Sequence, residues 1–300
     1  MRKNKPIKDL SSLGQLLGNK QEEMKVPQKD VESRMINTDT PNLGWLFYKE
    51  YYQGLTKDLI DNNNEKGQEG FFKEKNDKIL KAQFRSYHNT LVIVEDNNTN
   101  EIKTIEMKTT YPGLIMGTGV THETGLKGEM KLGLSFDYTT GLPYIPGSSV
   151  KGILRSVFPG SFTKADEEFK EARIAYIRDH LDNQELNVEE LEAELFEGKG
   201  SESIYDRDVF MDAHITDVPG NGIFLGSDFL TPHGENPLKN PNPIQFLKIL
   251  PEVTFTFYFK FKGGVITEVQ KRELFEKILK DIGVGAKTNV GYGQLVSSNK

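Results

Sequence analysis

Leu142 to Phe158 reads L-P-Y-I-P-G-S-S-V-K-G-I-L-R-S-V-F. Two prolines and a glycine favour an extended loop, after which an amphipathic helix begins. Val150, Ile153, Leu154, Val157 and Phe158 recur at helical spacing and form one face to bury. Ser148 or Ser149 is placed to cap the helix, satisfying amides that the first turn leaves free. Lys151 and Arg155 lie four apart, on a stripe away from the buried face. An anion near Ser148 would meet a helix start, a hydroxyl and two cations together, so phosphate is the natural ligand. The plainer reading is a capped surface helix with solvated charges.

Upstream, Glu129 to Phe136 alternates cleanly as a strand, with Met130, Leu132, Leu134 and Phe136 on one face. A glycine-rich loop, Gly117 to Gly128, separates it from a strand over Ile102 to Met116. Leu91 to Val94 reads as a short strand turned back by the asparagines of 97–100. Residues 41–90 form a helical N-terminal extension. In it, Leu43, Leu46, Phe47 and Tyr51 trace one helical face, and a second helix spans Phe71 to Ser86 after a polar loop from Asp61 to Gly70. The aromatic cluster around Trp45 suits core packing first and base stacking second. Residues 1–40 are polar and read as a flexible arm, although Leu10, Leu13, Leu16 and Leu17 have helical spacing.

Downstream, residues 162–197 are charged with helical spacing and read as a helical insertion. Its acidic second half suits solvent or a protein partner better than RNA. Val209 to Val218 and Gly222 to Leu230 read as strands joined by the turn at 219–222. Thr231 to Pro243 reads as an irregular loop. Ile244 to Lys262 carries the strongest strand signal, V-T-F-T-F-Y-F-K-F-K. Thr267 to Ile282 is a helix opened by a Thr267/Gln270 capping box, with Phe275, Ile278, Leu279 and Ile282 inward.

That helix runs into Gly283 to Leu295, G-V-G-A-K-T-N-V-G-Y-G-Q-L. Glycine permits positive φ and lets a backbone approach a ligand closely. The run is no nucleotide-binding P-loop: Asp281 and Ala286 stand where that pattern needs glycines before Lys287-Thr288, and no helix follows. It is a structural glycine corner or a backbone-amide cradle for a polynucleotide.

The chain of 300 residues carries a net charge of -6 and no cysteine. The charge argues against a general nucleic-acid coat protein but allows a local basic groove. Without cysteine there is neither a disulfide nor a thiolate metal site. A cytoplasmic location is expected, with no signal peptide and no membrane span. No cofactor is expected.

Together the two stretches resemble the RAMP superfamily of CRISPR effector proteins. G-V-G-A-K-T-N-V-G-Y-G is similar to that family's C-terminal loop, and Y-I-P-G-S-S-V-K-G-I-L-R to its central motif in type III systems. V-F-M-D-A-H-I-T-D followed by L-G-S-D-F-L-T-P-H-G resembles the sixth-subunit family of type III-B (Cmr) complexes. The resemblance covers roughly 110–296. It implies an α+β, ferredoxin-like (RRM-like) domain with an antiparallel sheet over 91–300. It also implies a non-catalytic subunit that holds the 3′-side of a guide CRISPR RNA. Such a subunit contacts target RNA, other RAMP subunits and a small helical subunit. By position, Ser148, Ser149, Lys151 and Arg155 would line the guide groove from the helix start. Gly283, Gly285, Lys287, Thr288, Gly291 and Gly293 would line it from the loop. Main-chain amides and point charges bind phosphates, not base edges, which suits a protein that accepts any guide.

A RAMP-type endoribonuclease is the rival reading. Asp212 and His214, on one face of a predicted strand, could join His233 as an acid–base set or metal site. His122, in the loop T-G-V-T-H-E-T-G, could act on nearby RNA. A third reading is a pure protein scaffold, which leaves the two phosphate-competent stretches unexplained.

Overall fold

The computed structural model describes residues 42–61, 64–84, 102–116, 121–161, 167–198, 207–231 and 243–298. The expected arm over 1–40 and the strand over Leu91 to Val94 lie outside these residues.

The main sheet is antiparallel. It contains β1 (Ile102–Thr109), β3 (Tyr144–Ile145), β4 (Val209–Phe210), β5 (Ala213–Asp217), β8 (Thr254–Lys260) and β9 (Leu295–Ser297). Its order is β3-β5-β8-β1-β9, with β4 also on β8. Two helices complete the pattern: α4 (Gly147–Arg155) follows β1, and α7 (Glu268–Ile282) follows β8. Reading β1, α4, β4/β5, β8, α7, β9 gives βαββαβ, with the first and third strands central: the ferredoxin-like arrangement. Alternation on β8 sends Phe255, Phe257 and Phe259 into the core, and Phe259 meets Phe275 of α7 at 5.5 Å between ring centroids. The expected capping box holds: Thr267 accepts from Gln270 N–H, and the Gln270 side chain accepts from Thr267 N–H.

A second sheet, β2 (Met130–Leu132), β7 (Ile244–Ile249) and β6 (Leu225–Leu230), changes three expectations. The long strand expected from Ile244 to Lys262 is two strands in different sheets, parted at Pro251-Glu252, where Glu252 has φ 67°. The strands joined by the turn at 219–222 likewise belong to different sheets. The strand expected from Glu129 to Phe136 is ordered as β2 only over three residues, parallel to β7. Met130, Leu134 and Phe136 are nevertheless buried, as the alternation expects, whereas Leu132 is only half-buried.

The N-terminal extension packs into the same core. Leu43, Leu46, Phe47 and Tyr51 are buried on α1 (Leu43–Trp45) and the π-helical turn Leu46–Glu50 that continues it. After the short α2 (Lys57–Asp61), α3 (Glu65–Leu80) starts earlier than expected, because Asn64 caps it by accepting from Gly67 N–H at 3.0 Å. The insertion forms α5 (Glu167–His180) and α6 (Val188–Glu192), the latter running on through a π-helical turn, Ala193–Glu197. It is fastened inside: the fully buried Lys271 of α7 donates to Asp208 at 2.8 Å and lies 3.3 Å from Glu194.

Candidate nucleic-acid interface

The helix start is organised differently from the sequence reading. Pro146, not Ser148 or Ser149, is the N-cap of α4, and its carbonyl accepts from Ser149 and Val150 N–H. The anion at the first turn is internal: Asp212 Oδ1 accepts from Gly147 N–H at 2.7 Å. Asp212 reaches it because it sits in the break between β4 and β5, where the strand leaves the β8 register. Ser148 and Ser149 remain exposed.

Lys151 and Arg155 lie off the buried face but are not free. Lys151 Nζ donates to Phe196 O at 2.6 Å and stands over the Phe210 ring. Burial, then the nearby Arg155 and Arg207, lowers the Lys151 pKa from its ordinary value. Arg155 bonds Glu192 at 3.2 Å and also pairs with Glu197. The acidic half of the insertion therefore consumes both cations.

The glycine-rich loop is built on itself. Gly283, Gly285, Gly291 and Gly293 all have positive φ, and Lys287 is left-handed at φ 59°. A Cβ on Gly285 would lie 2.2 Å from Ile115 O, and one on Gly293 would lie 1.8 Å from Val284 O, so both positions exclude any side chain. These approaches let Ala286 N–H bond Ile115 O at 2.7 Å and Gly293 N–H bond Gly113 O at 2.8 Å. Val284, Val290 and Gly291 N–H are also spent within the loop. The expected amide cradle is thus largely a glycine corner. Its product is a held tip: Lys287, Asn289 and Val290 are exposed and Thr288 is half-buried. Tyr111, 86% exposed, stands on the turn against which the loop packs.

One tie was not visible in sequence. Tyr292 Oη donates to Asp228 at 2.7 Å, and Lys248 pairs with the same oxygen, anchoring the loop to the second sheet. Burial and then that carboxylate push the Tyr292 pKa up to about 12. Asp228 is paired across 64 residues of sequence, a separation no local pattern encodes.

Two of the nuclease candidates, His122 and Asp212, are engaged by main-chain groups. His122 is buried, its Nδ1 2.8 Å from Met130 O and its Nε2 2.9 Å from Phe47 O, with the ring stacked on Phe47. Burial lowers its pKa, against the pull of those carbonyls. Asp212 is turned to the α4 start and does not share a strand face with His214. His233 lies outside the described residues. Among the described residues, no group of three His, Asp or Glu could hold a metal. Nor is any described helix long and apolar enough to cross a membrane.

The family model described as the RAMP superfamily matches residues 106–296, which takes in both motif stretches. The chain belongs to the RAMP superfamily. This RAMP chain is similar to the protein described as CRISPR system CMR subunit Cmr6 of Saccharolobus solfataricus. The two are 32% identical over 164 residues, covering 53% of this chain and 46% of that protein. It is also similar to Cmr6 of Pyrococcus furiosus, 29% identical over 203 residues, covering 52% of this chain and 58% of that one. The chain therefore matches about half the length of these curated relatives. In fold it resembles a chain of the type III-B Cmr-beta complex bound to cognate target RNA. That likeness has a TM-score of 0.56 at 23% identity, covering 85% of this chain and 84% of the other.

Proposed function

We propose that this RAMP protein is a non-catalytic RNA-binding subunit of a type III-B CRISPR effector complex. It holds the 3′-side of the guide RNA, contacts target RNA, and adjoins other RAMP subunits and the small helical subunit. The observation that carries the reading is the tip Lys287–Val290. A main-chain-bonded glycine corner holds it out to solvent, inside the segment that the family model matches. An exposed ammonium with neighbouring main chain and hydroxyl groups recognises phosphate without regard to sequence. The four loop glycines shape this contact, and Thr288 lies beside Lys287. At the helix start, the exposed hydroxyls of Ser148 and Ser149 face the same strand. Lys151 and Arg155 contribute by holding the insertion against α4.

Lys287→Ala tests this reading. The variant should fold normally, bind unrelated RNA sequences with equally reduced affinity, and flatten the log–log salt dependence by about 0.7. Affinity and slope equal to those of the unaltered protein would refute it.

A further inference from the structure

An aromatic recess of about 770 Å³ opens where the N-terminal extension meets the β3 edge of the main sheet. Trp45, Tyr48, Phe136, Tyr138 and Tyr144 line it, with Lys49 at the rim. Two of these residues are open to solvent: Trp45 is 47% exposed and Tyr138 is 99% exposed. Tyr138 is nonetheless held in place. Asp137 accepts from both the N–H and the hydroxyl of Thr139 and of Thr140, and Asn42 donates to Tyr138 O at 3.0 Å. A fixed turn thus presents an aromatic ring entirely to solvent, where burial offers it no stabilisation. From Tyr144 the aromatic surface continues across the sheet. His214 lies 6.1 Å away and near-parallel to it, and Tyr258 lies 6.4 Å beyond.

We propose that this recess stacks an unpaired nucleobase of the RNA strand. The proposal rests on the RNA-binding reading above and adds a base-stacking subsite to it. Two features favour RNA over a protein segment. The recess carboxylate, Asp137, is engaged by its own turn, whereas the exposed Lys49 makes no ion pair among the described residues and matches a phosphate. Tyr144 also stands just before Pro146 and the exposed Ser148-Ser149, so the recess is continuous with the proposed strand path. Every base presents a π-face, so stacking retains guides of any sequence.

Trp45 is the chain's single tryptophan, so its emission reports on this recess alone. The full chain is titrated with an oligouridylate and with an abasic ribose-phosphate oligomer of equal length. The oligouridylate should quench Trp45 and the abasic oligomer should not. Tyr138→Ala should weaken oligouridylate binding about tenfold, as loss of one base–aromatic stack predicts, and leave abasic binding unchanged. Tyr138→Phe should bind as the unaltered protein does. If the oligouridylate binds by anisotropy without quenching Trp45, the subsite is refuted while the phosphate-binding reading stands. If Trp45 responds only to a sibling subunit, the recess docks protein and the proposal fails. If neither oligomer binds, both readings fail together.

Discussion

The helix start at 142–158 and the glycine-rich loop at 283–295 carry the same ingredients: glycine, a hydroxyl residue and lysine. The fold uses them in opposite ways. At the helix start, intrachain carboxylates and carbonyls take the donors: Asp212 takes Gly147, Phe196 takes Lys151, and Glu192 with Glu197 takes Arg155. In the loop the main-chain amides are spent inward, and at its tip Lys287, Asn289 and Val290 are left exposed. A phosphate-competent composition therefore stays open to solvent only where the same chain supplies no competing acceptor.

Glycine substitutions press hardest on that contrast. Gly293→Ala places a Cβ against Val284 O at positive φ and should cost about 3 kcal/mol. Gly152→Ala, in α4 with open space around it, should instead stabilise by about 0.5–1 kcal/mol. Denaturant midpoints at constant slope give both values, and effects of the same sign would erase the distinction. Glu192→Gln comes next. It turns a nearly buried acceptor of Arg155 and Gly160 N–H into a partial donor, at about 2 kcal/mol. Unchanged stability together with tighter RNA binding would return Arg155 to the RNA groove and break the comparison. The smallest effect is Asp228→Asn. Burial raises the Asp228 pKa, but bonds from Lys248 and Tyr292 outweigh it and hold the folded value below the ordinary one. Its stabilisation is therefore present above roughly pH 4 and lost as pH falls through the lower folded value. With the side chain 37% exposed, the gain stays below about 1 kcal/mol. Thermal melts should show a gap between the two proteins at neutral pH that closes in acid. A gap independent of pH would mean that Asp228 anchors Tyr292 by shape alone.

Local physics made much of this legible. The α7 capping box, the buried face of α4, the helical insertion and the inward residues of the extension follow from spacing and cap chemistry, which act within a few residues. The glycines of the loop were legible as positive-φ positions. What the glycines enclose was not, because Ile115 and Gly113 are remote in sequence. Sheet membership failed for the same reason. Nothing near Pro251 announces that β7 and β8 leave for different sheets, and β2 pairs in parallel with a strand over a hundred residues later. Asp212 and His122 read as chemistry because Asp and His are reactive types. Their partners, Gly147 N–H and two carbonyls, are backbone groups that no sequence pattern reveals.

Lys271 sets a limit on how the protein can be trimmed. Its ammonium is sealed in the interior between Asp208 and Glu194, the latter supplied by the insertion. Deleting 162–197 to make a minimal version would strand that ammonium with one carboxylate and take Glu192 and Glu197 away from Arg155. The excision and a neutral, apolar replacement at position 271 have to be made in one step, as a single redesign.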